Sequence, residues 1–276
     1  MTLIDEYFEL TKKYTESHGY KTILLMQVGS FFECYAKIDK HGNYSGSLIL
    51  EFSKINDMSI ARKNVCCGDL DVVMAGFGVL YLEKNIKKLL QHGYTVPVFV
   101  QDIQGKNTTR SLACIYSPGM YFNDNYENLT NNTVCIWVNY CKPNLIYKVS
   151  TINIAISIID IITGKIICYE YSIDYVDNPT IYDQLEKYIS IYNPSETIII
   201  CNYEDNNFID KLINYTNIRS KKIYKINLNN NIDNEFEKFA LNCEKQNFQE
   251  EFIDKIYGSN SFSSKSEFRE NQLINQ

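Results

Sequence analysis

Apolar positions along the chain follow two different rhythms. Leu3, Tyr7, Leu10 and Tyr14 recur at helical spacing behind Thr2 and Asp5, which have the spacing of a capping box, so residues 3 to 17 predict an amphipathic helix. Thr22 to Val28 is an apolar run of strand length, and it leads through Gly29 and Ser30 into Phe31-Phe32-Glu33. Residues 41 to 64 are polar and irregular apart from a brief apolar run at 47 to 52. Val72 to Gly78 predicts a strand entering a glycine-bracketed turn at Gly76. From Tyr81 to His92, Leu82, Ile86, Leu89 and Leu90 form one face opposite Lys84, Lys87 and Lys88, and Gly93 is the expected stop. Strands follow at Thr95 to Val100, where Pro97 calls for an edge or a bulge, and at Arg110 to Tyr116, closed by Ser117-Pro118-Gly119. Residues 1 to 122 thus read as a mixed sheet with two helices.

Residues 123 to 132 are polar and aperiodic, and read as a linker. Beyond them, strands are expected at 134 to 140, 152 to 160 and 165 to 172, the last two joined as a hairpin through Thr163-Gly164. Asn178-Pro179 opens a helix with Ile181, Leu185, Tyr188 and Ile189 on one face. A turn at Asn193-Pro194-Ser195, a strand at Thr197 to Cys201, a helix at 206 to 215 and a strand at 222 to 228 complete the unit. Three meandering strands followed by α-β-α-β is the order of a ribonuclease H-like sheet, assigned to residues 133 to 232. Residues 233 to 257 give one more helical pattern through Phe236, Phe239, Phe248, Phe252 and Ile256. A lone amphipathic helix needs a partner for its apolar face, so 233 to 276 reads as the start of a further helical region. The fold class is α/β.

Composition narrows the setting. With 45% hydrophobic residues in 276, the chain can bury the cores of one large or two ordinary domains. No apolar run approaches the roughly 20 residues of a membrane span and no hydrophobic leader follows Met1, so an intracellular protein without a membrane partner is expected. Nucleus, cytoplasm, organelle and viral factory are equally open. Nine cysteines, an odd number with no C-x-x-C, and three scattered histidines argue for free thiols and against a zinc site. The net charge of −6 is uneven: residues 1 to 122 carry 13 Lys+Arg against 12 Asp+Glu, the remainder 14 against 21. Only the first part can approach a phosphate backbone without help.

No G-x-x-x-x-G-K-[ST], G-x-S-x-G or H-E-x-x-H occurs, and Gly76-Phe77-Gly78 lacks the third glycine of a dinucleotide fingerprint. Two places retain candidate chemistry. Asp160 at a strand end, with Glu170 and Asp183 or Asp205, could hold two metal ions for phosphodiester cleavage, although an aspartate before a hairpin commonly binds the local backbone. Phe31 and Glu33, two residues apart on extended backbone, leave from one face. A flat ring beside a carboxylate suits the probing of an unstacked base; a Phe-Phe pair beside a strand also suits an ordinary core.

Met26-Gln27-Val28-Gly29-Ser30-Phe31-Phe32-Glu33 resembles the opening of the mismatch-recognition domain of the MutS family. Further matches follow in order: Met74-Ala75-Gly76-Phe77 with the helix to His92, Gly93-Tyr94-Thr95-Val96 with Val100-Gln101, Arg110 through Ser117-Pro118-Gly119, and Ile159-Asp160-Ile161-Ile162-Thr163-Gly164, which resembles the hairpin of the family's connector domain. The resemblance implies DNA mismatch recognition. Phe31 would enter the minor groove of double-stranded DNA at a mismatch or small loop and stack on the faulty base, Glu33 would hydrogen-bond that base, and Lys54, Arg62 and Lys63 would contact the backbone. Gly29, Gly76 and Gly119 would serve as structural turns. It also implies no catalytic or metal site in this span. ATP and Mg2+ would belong to a full-length member's ATPase, and with it dimerisation; the chain has neither that P-loop nor the clamp, and reads as a fragment or a truncated homologue. Richness in Asn, Ile, Lys and Tyr suggests an AT-rich genome such as that of a large DNA virus. The alternatives are a metal-dependent ribonuclease H-like nuclease centred on Asp160 and a protein-interaction module that does not bind DNA.

Overall fold

The computed structural model describes residues 2–104, 107–120, 130–143, 148–203, 205, 207–229 and 235–257. Helix α1 (Leu3–His18) opens on the expected capping box, with Asp5 N donating to Thr2 Oγ1 at 3.2 Å and Thr2 N to Asp5 Oδ2 at 3.1 Å. The first sheet comprises β1 (Leu25–Val28), β2 (Phe31–Ile38), β3 (Tyr44–Ser45), β4 (Ala61–Cys67), β5 (Leu70–Gly78), β6 (Val96–Gln104) and β7 (Asn107–Tyr116). Its order is β4-β5-β2-β1-β6-β7, with β3 beside β2. It is mixed, as expected, because β1 runs parallel to β6 and antiparallel to β2. Leu24, Leu25, Met26, Tyr35 and Val96 form its buried centre, closed by Tyr7 of α1, by Ile49 and Phe52 of α2 (Ile49–Asn56) and by Ile86 and Leu89 of α3 (Leu82–Gln91).

Two local expectations change here and a third is narrowed. The stretch read as irregular holds α2 and the start of β4; α2 is only eight residues long and buries Ile49, Phe52 and Asn56, one of them polar, which leaves little periodic signal. Of the two alternatives for Pro97 the edge is excluded, since β6 lies between β1 and β7, and the bulge is found one residue on, where the register slips between Val98 and Phe99. Gly76 is not in a turn: it lies within β5, opposite Glu33.

The second sheet comprises β8 (Asn132–Cys141), β9 (Thr151–Asp160), β10 (Ile166–Asp174), β11 (Glu196–Cys201) and β12 (Lys222–Asn227), in the order β10-β9-β8-β11-β12. The first three form an antiparallel meander and β11 lies parallel to β8. Ile152, Ile154, Ile156 and Ile158 alternate into a core shared with Leu185 of α4 (Asp183–Tyr192) and Leu212 of α5 (Phe208–Tyr215). The side chain of Asn178 accepts from Thr180 N at 3.1 Å, the expected cap, although the first turn it opens is a 3-10 helix (Pro179–Tyr182). Of the expected linker, residues 123–129 lie outside the described residues, and Asn132 already belongs to β8.

Both sheets fall in one compact unit, Met1–Ile226. At their junction Glu196 Oε2 accepts from Ser117 Oγ and from Gly119 N, each at 2.7 Å, and Lys222 Nζ donates to the carbonyl of His18 at 2.5 Å. A Cβ on Gly119 would stand 2.3 Å from Thr133 Oγ1, so this glycine permits a close approach between the sheets.

Among its described residues the second unit, Asn227–Gln276, has two helices where one is expected: α6 (Glu235–Asn242) and α7 (Gln246–Tyr257). Phe239 and Phe252 meet with ring centroids 5.5 Å apart, whereas thirteen residues of continuous helix would separate them by about 20 Å. Residues 258–276 lie outside the described residues.

Candidate nucleic-acid interface

Phe31 is the first residue of β2, directly after the two-residue turn Gly29-Ser30, and pairs with Val28 on β1 and Gly78 on β5. Gly29 has φ +59°, a left-handed conformation that favours glycine. Its N–H donates to Gln101 Oε1 at 2.8 Å, while Gln27 Nε2 donates to its carbonyl at 3.1 Å. Gln101 N in turn donates to Gln27 Oε1 at 3.1 Å, so the turn is fastened to both β1 and β6. Val79 N adds a bond to the carbonyl of Ser30 at 2.9 Å. The ring that this scaffold presents is 52% exposed. Phe32 points the other way, into the core beside Phe77, whose ring also meets Phe52.

Glu33 follows Phe31 on the same face but is only 6% exposed. Lys63 Nζ donates to its Oε2 at 2.7 Å, and the Tyr35 hydroxyl donates to the same oxygen. Lys63 Nζ lies 3.0 Å from the Tyr35 hydroxyl oxygen and 4.6 Å from the centre of its ring. Burial, and then the bond to Glu33, raises the Tyr35 hydroxyl well above its ordinary pKa, so it remains a donor. Opposite Glu33, Gly76 leaves the space in which the carboxylate stem lies.

Of the three expected backbone contacts, the structure brings only Lys63 to the Phe31–Glu33 face, half-buried and with its ammonium engaged by Glu33. Arg62 is exposed, 3.8 Å from Asp71 Oδ2, and Lys54 is exposed in the last turn of α2. Tyr35 is missing from the sequence reading, although its place two residues past Glu33 is the signal that would have found it. Also missed is the 3-10 turn Val79–Tyr81 beside Phe31, with Leu80 93% and Tyr81 59% exposed. The turn follows directly on Gly78, the β5 partner of Phe31, so these exposed apolar side chains and Phe31 lie at the same end of the β2–β5 pair.

The Asp160 alternative gathers differently. Asp160 Oδ1 accepts from Asn131 N at 2.9 Å and Ile162 N at 3.2 Å, and Oδ2 from Thr163 Oγ1 at 2.6 Å. Burial opposes its charge, but those hydrogen bonds bring its pKa below the usual carboxylate value. The other charged side chains lining the cavity it borders, about 670 Å3, are all basic: Lys165, Arg219 and Lys221. Glu170 is exposed on β10, Asp183 accepts from the Tyr215 hydroxyl at 2.6 Å, and Asp205 pairs with Lys211 at 3.0 Å. Among the described residues no three His, Cys, Asp or Glu side chains gather as a metal site, and no helix is long and apolar enough to cross a membrane. All nine cysteines are free.

Residues 2–125 match the family described as MutS domain I. A mutS homologue of Acanthamoeba polyphaga mimivirus, named as a DNA mismatch repair protein, is 26% identical over 94% of this chain and 23% of its own length. The DNA mismatch repair protein MutS of Parabacteroides distasonis is 25% identical over 71% of this chain and 19% of its own. A mitochondrial mutS homologue of Sarcophyton glaucum is 27% identical over 43% of this chain and 14% of its own. The chain therefore spans less than a quarter of the length of these curated relatives.

Proposed function

We propose that this chain, whose residues 2–125 match MutS domain I and whose likeness to mutS-type relatives extends over most of its length, is a MutS-type protein that recognises mismatched double-stranded DNA with Phe31 as the inserted wedge. The observation that carries this reading is an aromatic ring half in solvent on a backbone tied down on both sides. Opening a stacked step costs a few kcal/mol, and least where pairing is already faulty; that difference is the discrimination. Glu33, next on the same face, accepts a hydrogen bond from the displaced base. The near-neutral charge of residues 1–122 suits a site that selects deformability more than it collects phosphates, with Lys54 and Arg62 as candidate backbone contacts.

In this reading the second sheet is a ribonuclease H-like connector without catalysis, supported by its strand order, and α6 and α7 lead into a lever region. ATP, Mg2+ and dimerisation belong to the family's ATPase part, and no residue of this chain is assigned to them. The test compares binding of a one-mismatch duplex with that of its matched counterpart by fluorescence anisotropy. Phe31→Ala is expected to abolish the preference; a mutant that keeps the parent's preference would sink the proposal.

A further inference from the structure

Lys63 carries more than a phosphate contact would ask of it. Both bonds that Glu33 makes, from Lys63 Nζ at 2.7 Å and from the Tyr35 hydroxyl, end on one oxygen, Oε2. Among the described residues no other group bonds the carboxylate, so Oε1 takes part in neither. The ammonium is itself fixed from a second side by the Tyr35 ring and hydroxyl oxygen. Tyr35 is fully buried and cannot reach a bound duplex.

We propose that Lys63 and Tyr35 are positioning residues for mismatch discrimination: they grip Glu33 by Oε2, cancel its charge against the DNA phosphates, and present Oε1 as the acceptor for the displaced base. This rests on the reading of Phe31 and Glu33 as the mismatch probe. A carboxylate held by a cation and a hydroxyl on one oxygen keeps a fixed plane, and an acceptor of fixed direction distinguishes bases better than a freely turning one. The charge pairing answers the main objection to a glutamate at a DNA surface, its repulsion from the backbone.

The test uses the full chain and the ratio of mismatched to matched binding. Lys63→Met and Tyr35→Phe are each expected to lower that ratio about tenfold, the scale of losing one partner of a charge-assisted hydrogen bond. Neither should change the ratio further in a Glu33→Gln background, and Lys63→Arg should recover part of it. Thermal melts accompany each variant, and Tyr35→Phe decides the matter because that side chain has no charge to offer a phosphate. If Lys63→Met weakens both duplexes equally, lowers the salt slope by about one and leaves the ratio intact, Lys63 is a phosphate contact and the proposal falls. It falls equally if Tyr35→Phe, folded as the parent, keeps the parent's ratio. A parent with no mismatch preference overturns the function itself, which is a separate result.

Discussion

Glu33 and Gly76 face one another across the β2–β5 pair, and a Cβ at Gly76 would stand 3.2 Å from Glu33 Cγ and 2.6 Å from the carbonyl oxygen of Phe32. The stem of Glu33 passes where a side chain on β5 would begin. Gly76→Ala is therefore expected to cost about 1–3 kcal/mol through overpacking against a backbone atom. It should also reduce mismatch preference by turning Glu33 off Lys63. Urea unfolding and duplex binding measure the two effects, and parent-like values for both would contradict the close approach.

Adjacent phenylalanines should separate stability from recognition. Phe31→Ala removes a ring that is half in water and is expected to change unfolding free energy by no more than about 0.5 kcal/mol. Phe32→Ala empties a buried site beside Phe77 and should cost about 3–5 kcal/mol. Denaturant midpoints of the two variants check this; equal losses would mean that Phe31 belongs to the core.

The junction between the sheets should respond to mild alkali. Burial, opposed by the Glu196 carboxylate and assisted by Lys21, lowers Lys222 from its usual 10.5 to about 8. Between those values the unfolded chain binds a proton that the native chain has released, so this group's contribution to stability rises with pH across the window and is constant below it. Buried tyrosines and thiols, raised above their ordinary values, act in the opposite sense at the top of the range. The difference in melting temperature between the parent and Lys222→Met is the clean readout. It should move in the parent's favour from pH 8 to pH 10, and a difference independent of pH would refute the assignment.

What the sequence made legible was local. The Thr2–Asp5 box, the Asn178 cap, the hairpin after Asp160 and the Gly29 turn are written in residues a few positions apart, and the structure has each of them. Gly76 was open to misreading because a glycine needed for a turn and a glycine needed for close approach carry the same local signal. The engagement of Lys63 by Glu33 is not legible locally, because the two are thirty residues apart, on strands two places from one another in the sheet. The break between α6 and α7 has neither Gly nor Pro at residues 243–245 to announce it; it follows from contacts among Phe239, Phe248 and Phe252.

The tethering of the Gly29-Ser30 turn has a thermodynamic consequence. Backbone that is already hydrogen-bonded to β1, β5 and β6 gives up little further freedom when it meets a partner. An intact duplex and a faulty one then encounter the same pre-set tip, and the protein's own conformational entropy drops out of the comparison. The contrast between the two is left to the stiffness of the DNA.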